Sequence, residues 1–212
     1  MSDPRWDFLD AVPPTHLVVV RAGVLDRVLD ATHPRPVAAV APLPRAGLGE
    51  VLAMAPAPFL VVVLAGLADP GNVGTVIRSA AAAGATAVVL APDAADPFGP
   101  KAVRASAGAI LHVPVVTMEI ARALPRLAAV GCTCWSAVGD AATPLDEADL
   151  TGSTALVFGT EAHGLTADLQ AGIPSSLRVP MAAGTESLNV AMAATVVLFE
   201  AARQRRMGGP KR

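Results

Sequence analysis

A chain of 212 residues is long enough for one full domain with its own core and a smaller addition. Hydrophobic residues make up 53% and charged residues 16%, which excludes a disordered chain, and a formal net charge of −2 excludes attraction of nucleic acid over the whole surface. Aromatics at 3% count against base stacking as the main mode of RNA contact, so any RNA site must be local.

The first ten residues, Met1 to Asp10, are acidic and polar and carry no secretory pattern. Residues 1–50 are Pro-rich, with an apolar strand expected at His16–Val20, a helix at Ala22–Ala31 and a short strand at Pro36–Ala41. That is half of a small α/β unit. Pro42 to Pro58 reads as a linker. The uncharged run Val51–Ala68 is interrupted by Pro56, Pro58 and Gly66, and so reads as linker plus buried strand, with no membrane partner.

Residues 51–212 then alternate strand and helix. Strand Phe59–Leu64, a Gly-rich turn, helix Val73–Ala83 closed by Gly84, and strand Ala87–Leu90 form a βαβ unit. A short basic helix follows near Lys101–Ala109. Helix Ile120–Val130, strand Cys132–Val138, an acidic loop Asp140–Asp149, strand Thr154–Phe158, a short helix Thr166–Ala171, strand Leu177–Val179 and helix Leu188–Arg206 complete the order. The alternation predicts an α/β fold, a mostly parallel sheet with helices on both faces.

Cys132 and Cys134 fall on one face of their strand. Two cysteines support neither a zinc site nor a disulfide framework; buried free thiols in a reducing cytoplasm fit, and no metal is expected. Basic residues cluster at Arg203, Arg205, Arg206, Lys211 and Arg212, where cations suit a helix end, and at Arg78, Lys101 and Arg104. The turn Gly66–Gly71 lacks the Gly-Lys-Ser/Thr ending of a phosphate loop, and Gly71-Asn72-Val73-Gly74 lacks dinucleotide spacing.

Three ordered stretches stand out: Asp69-Pro70-Gly71-Asn72-Val73-Gly74-Thr75-Val76-Ile77-Arg78-Ser79-Ala80, Val157-Phe158-Gly159-Thr160-Glu161-Ala162-His163-Gly164-Leu165, and Val179 to Ala194 with Ser187-Leu188-Asn189 at its centre. Taken singly, each has an ordinary reading. Ser187 suits an N-cap, Asn72 another cap, Glu161 a solvated side chain and Arg78 a surface ion-pair partner. Together, in this order, they resemble the SpoU-type (TrmH-like) RNA 2′-O-ribose methyltransferases of the SPOUT superfamily, over roughly residues 58–206.

The resemblance implies a C-terminal deep trefoil knot that gathers the loops at Gly159, Met181 and Ser187. It implies S-adenosylmethionine as cofactor, bound by Gly159, Val179, Met181 and Leu188, and a homodimer, for which Met192, Val196 and Phe199 offer apolar contacts. The substrate class would be rRNA or tRNA. Catalysis would fall to Arg78, supported by Asn72, Glu161, Ser187 and Asn189. A guanidinium, with a pKa above about 12, is a poor base, so orienting the 2′-hydroxyl and stabilising developing oxyanion charge suits Arg78 better. Family members often carry a complete N-terminal RNA-binding domain; residues 1–50 resemble only its closing part, and position 191, often serine, is Ala191 here. The rival reading is a non-catalytic RNA-binding or assembly protein that keeps the fold.

Overall fold

The computed structural model describes residues 12–28, 37–44, 46–160, 164–185 and 187–208. Two compact units divide the chain, Met1–Pro42 and Leu43–Arg212. In the first, helix α1 spans Val24–Val28. The strands expected at His16–Val20 and Pro36–Ala41 do not form over their described residues: Leu17 to Val20 are exposed and irregular, with Val19 98% exposed. An apolar run realises its β preference only against a ladder partner, and that run pairs with none. Of the expected helix Ala22–Ala31, positions 29–31 lie outside the described residues.

The second unit carries a seven-stranded sheet in the order β3-β2-β1-β6-β4-β7-β5, every pairing parallel. The strands are β1 (Leu60–Leu64), β2 (Ala87–Leu90), β3 (Val115–Thr117), β4 (Thr133–Ala137), β5 (Thr143–Pro144), β6 (Thr154–Phe158) and β7 (Ser175–Arg178). Central β1 and β6 are buried at every position, which is why both read as unbroken apolar runs. Strands β3 and β5, absent from the expected order, are too short to show a period.

Helices α3 (Pro70–Ala83) and α7 (Val190–Gly208) bury one sheet face: Val73, Val76, Ile77 and Ala80 of α3 meet Ala191, Ala194, Val197, Leu198 and Ala201 of α7 over Leu60, Val62 and Leu64. On the other face α2 (Leu48–Met54) and α5 (Ile120–Ala129) cover Val61 and Val63, with Leu169 of α6 (Ala167–Ala171) packed at the margin. Helix α2 corrects the linker expected at Pro42–Pro58. Its Leu48, Val51 and Leu52 have helical spacing and are buried, a signal masked by the flanking prolines.

The last turns of α7 are fastened to the amino-terminal edge of the sheet. Gln204 accepts from the Leu150 amide and donates to the Ala148 carbonyl, at 2.8 and 2.9 Å. The guanidinium of Arg205 donates to the carbonyls of Leu150, Pro58, Phe59 and Gly152. Burial lowers its pKa, a cost offset by this ring of carbonyl acceptors. Among the described residues no helix is long and apolar enough to cross a membrane.

Candidate active site

Because β4, β6 and β7 run parallel, their carboxyl ends open on one edge, where open α/β sheets place their ligands. Gly159 follows β6, and the loop beyond it folds back at once. Thr160 and Gly164 exchange backbone hydrogen bonds, both 2.9 Å, and the Thr160 hydroxyl donates to the same Gly164 carbonyl at 3.2 Å. A Cβ at Gly159 would strike the Gly164 carbonyl and the Leu165 amide nitrogen. Glycine is therefore required there by the crossing of two backbones, not by a ligand alone.

The loop after β7 brings Val179 and Met181 opposite this turn, and Ser187, Leu188 and Asn189 close the remaining side. The four residues expected to hold the cofactor, Gly159, Val179, Met181 and Leu188, line one cavity of about 440 Å³, and Ser187 and Asn189 line it too. The expected convergence of the loops at Gly159, Met181 and Ser187 is observed. Ala137 at the end of β4, Val138 and Gly139 just beyond it, and Ala193 on the first turn of α7 also line the cavity, and their only signal in the sequence was their place at a strand end and a helix start.

Helix α7 starts at Val190, two residues later than expected, and its cap is Asn189 rather than Ser187. The Asn189 Oδ1 accepts from the amides of Ala191 and Met192 at 2.9 and 3.3 Å. Its Nδ2 donates to Asn72 Oδ1 at 3.2 Å, tying the first motif to the third. Deeper, the hydroxyls of Ser79 and Thr195 lie 2.7 Å apart and Thr195 also donates to the Ala191 carbonyl. One face of α3, carrying Asn72 and Ser79, is thus stitched to α7.

Arg78 lies elsewhere. Six residues beyond Asn72, it is turned about 120° around the helix axis, is exposed, and does not line the cavity. Helix α4 (Pro100–Ser106) packs so closely on α3 at Gly74 that a Cβ there would strike the Ala102 carbonyl. Lys101 at the start of α4 bonds Asp69 at 2.6 Å. Asp69, not Asn72, caps α3 by accepting from the Gly71 amide at 3.0 Å. Its carboxyl is held below the usual range, first by Lys101 and then by that amide. Lys101 and Arg104 are exposed like Arg78. Glu161 and His163 lie outside the described residues.

Residues 59–199 match the sequence pattern of the SpoU rRNA Methylase family. The chain belongs to that family. It is 34% identical over 211 residues to the 23S rRNA (guanosine-2'-O-)-methyltransferase RlmB of Pseudomonas syringae, covering 96% of this chain and 84% of the relative. Among solved structures it resembles the SpoU methyltransferase AviRb of Streptomyces viridochromogenes in complex with AdoMet, with TM-score 0.72, 32% identity, and coverage of 78% of this chain and 67% of AviRb. An AdoMet-bound rRNA methyltransferase from Sinorhizobium meliloti gives TM-score 0.67 at 30% identity, covering 72% of this chain and 59% of the neighbour. The cavity fits such a cofactor: its volume lies in the small-molecule range, and Val179, Met181 and Leu188 make part of its wall apolar.

Proposed function

We propose that this protein transfers a methyl group from S-adenosylmethionine to the ribose 2′-hydroxyl of a guanosine in 23S rRNA. The reaction class, RNA ribose 2′-O-methylation with that cofactor, is the one carried by the SpoU enzymes; the target nucleotide follows the RlmB relatives. The observation that carries the reading is the single cavity that gathers Gly159, Val179, Met181 and Leu188 beside an Asn189 bonded to Asn72. Bound S-adenosylmethionine supplies an electrophilic methyl group on a sulfonium sulfur. The chain then has to hold the attacking oxygen in line and stabilise the charge that develops as the hydroxyl proton leaves.

Arg78 suits that role as an orienting and electrostatic group, being always charged and able to grip hydroxyl and phosphate with a planar fork. Lys101 and Arg104 lie exposed on the neighbouring helix and suit the RNA backbone. Asn72, Glu161, Ser187 and Asn189 support the site in this reading, and residues 1–50 serve in RNA recognition. The working form is a cytoplasmic homodimer: Met192, Val196 and Phe199 of α7 are exposed at 52%, 43% and 45%, an apolar face for a second copy. Light scattering that returns a monomer at working concentration rules the dimer out.

Mapping 2′-O-methylation of 23S rRNA by primer extension, in cells with and without the protein, tests the reading. A guanosine methylated only when the protein is present is the expected result. An unchanged 23S map beside a lost tRNA methyl group would move the substrate to tRNA. Unchanged maps for both, with RNA still bound, would leave the non-catalytic reading.

A further inference from the structure

A net charge of −2 leaves any RNA site to be local, and one surface of the second unit has the composition for it. Helix α4 runs beside α3 in the same direction: the Lys101 side chain lies against Gly71 and Asp69, and Ala102, Ala105 and Ser106 crowd Gly74. Arg78 stands one turn beyond Gly74 on the same side of α3, and Arg104 one turn beyond Lys101 on α4, all three cations exposed. Residues 70–83 and 97–118, which form this seam, contain no Asp or Glu. At its ends Asp69 is bonded to Lys101, and Asp96 accepts from the Phe98 amide.

Helix α4 ends in an unusual turn. Ala107 has φ of +49°, the one non-glycine residue in the left-handed region among the described residues, and Gly108 follows at +84°. The short 3-10 turn Ala109–Leu111 is then closed by the Leu111 and His112 amides, which donate to the Gly108 and Ala109 carbonyls at 3.1 and 2.9 Å. It buries Ile110 in the core that α3 covers and leaves Leu111 76% exposed. A lone exposed leucine is ordinary. This one is held out on a fastened turn at the end of a cationic seam.

Resting on the RNA reading above, we propose that the substrate RNA lies along this seam, with Leu111 as an apolar wedge against an unpaired base beside the target nucleotide and Arg104 on a flanking phosphate. RNA couples an anionic backbone to flat apolar base faces, and the seam and its turn offer the two complements side by side. With aromatics at 3%, an aliphatic side chain fills the place that stacking rings hold elsewhere. From Asn72, bonded to Asn189 at the cavity, to Ala83, α3 rises about 16 Å, so a strand whose ribose sits at the cavity can reach Leu111 with a neighbouring nucleotide.

The test measures binding of labelled RNA carrying the mapped methylation site to the full-length protein, by fluorescence anisotropy at two salt concentrations. Leu111→Ser, at an exposed position, should weaken binding about tenfold with the salt slope, the Tm and the Kd for S-adenosylmethionine unchanged. Leu111→Phe should bind at least as tightly as the parent. Arg104→Ala should instead lower the salt slope by about one. Parental affinity in Leu111→Ser, or a loss in Leu111→Phe as large as in the serine variant, overturns the wedge even where methylation is confirmed. An unchanged slope in Arg104→Ala overturns the seam. A dimeric parent that turns monomeric on Leu111→Ser, read by light scattering, would make the residue a contact between copies and overturns the proposal too. A parent that binds no RNA overturns the RNA reading itself and the proposal with it.

Discussion

The loop edge around Gly159 and the exposed face of α3 divide the candidate site between two kinds of structure. At the loop edge, three strand ends and one helix start converge, and the walls are apolar side chains and backbone. On α3, Arg78 stands on a regular helix, in water, away from that cavity. Helices α3 and α7 meet through an apolar contact, and a hydrogen bond from Asn189 to Asn72 with the Ser79–Thr195 hydroxyl pair behind it joins their polar margins. Such a division lets cofactor affinity and chemical rate respond to different substitutions.

The largest expected effect tests that separation directly. Arg78→Ala should slow single-turnover methylation of the mapped RNA by about a hundredfold to a thousandfold, or about 3–4 kcal/mol, while the cofactor Kd stays unchanged. Arg78→Lys should fail similarly, since an ammonium lacks the planar fork. A variant within a few-fold of the parent would remove Arg78 from the chemistry, and one that also loses the cofactor would erase the division.

Gly159→Val works on the opposite half. Its first added carbon meets the Gly164 carbonyl, so the loop must give way before any ligand arrives. The variant should lose cofactor binding together with about 1–3 kcal/mol of stability, read by titration beside thermal melting. Lost affinity at parental Tm would mean that the loop yields without strain.

Asn189→Ala strikes the link between the halves. Loss of the α7 cap should cost about 1 kcal/mol in urea unfolding. Asn189→Ser retains a capping oxygen but cannot reach Asn72, so its stability should lie nearer the parent while its rate follows the alanine variant. If the serine variant keeps the parental rate, the bond to Asn72 carries no coupling.

An effect seen only in alkali comes from the far side of the sheet, where burial first, and then Cys134, pushes the Cys132 thiol up to about 11 from 9.0. The folded state favours the protonated thiol. Above the ordinary thiol value the unfolded chain sheds that proton first, so stability should fall as pH rises from about 9 to about 11. Urea midpoints across that window should drift downward in the parent and less in Cys132→Ala.

Much of the central body was legible because its signals are local. Gly84 ends α3 with φ of +79°, and apolar runs mark β1 and β6, although α3 starts at Pro70, three residues before the expected Val73. The cavity residues came from the resemblance: nothing in the spacing of Gly159, Val179 and Leu188 announces that they meet. What stayed hidden depends on long-range partners. Asn189 could be told from Ser187 as the cap only once α7 had a start and Asn72 a position. The strand expected at His16–Val20 had the right residues and no ladder, and α2 had helical spacing inside what looked like a linker.

Because α7 follows all seven strands of the sheet, a ribosome finishes the sheet before it delivers the helix. Until then Val62, Leu64 and their neighbours lack their cover, and the side of the cavity formed by residues 187–193 is missing. Gln204 and Arg205, which fasten the helix to both 58–59 and 148–152, emerge later still. A message cut short inside α7 should therefore yield no half-working enzyme. It should yield a chain with a bare apolar face, recognised by chaperones and proteases before it meets cofactor or RNA. Pulse-labelled chains ending at residue 200 should disappear much faster than full-length ones, and equal lifetimes would show that the sheet survives uncovered.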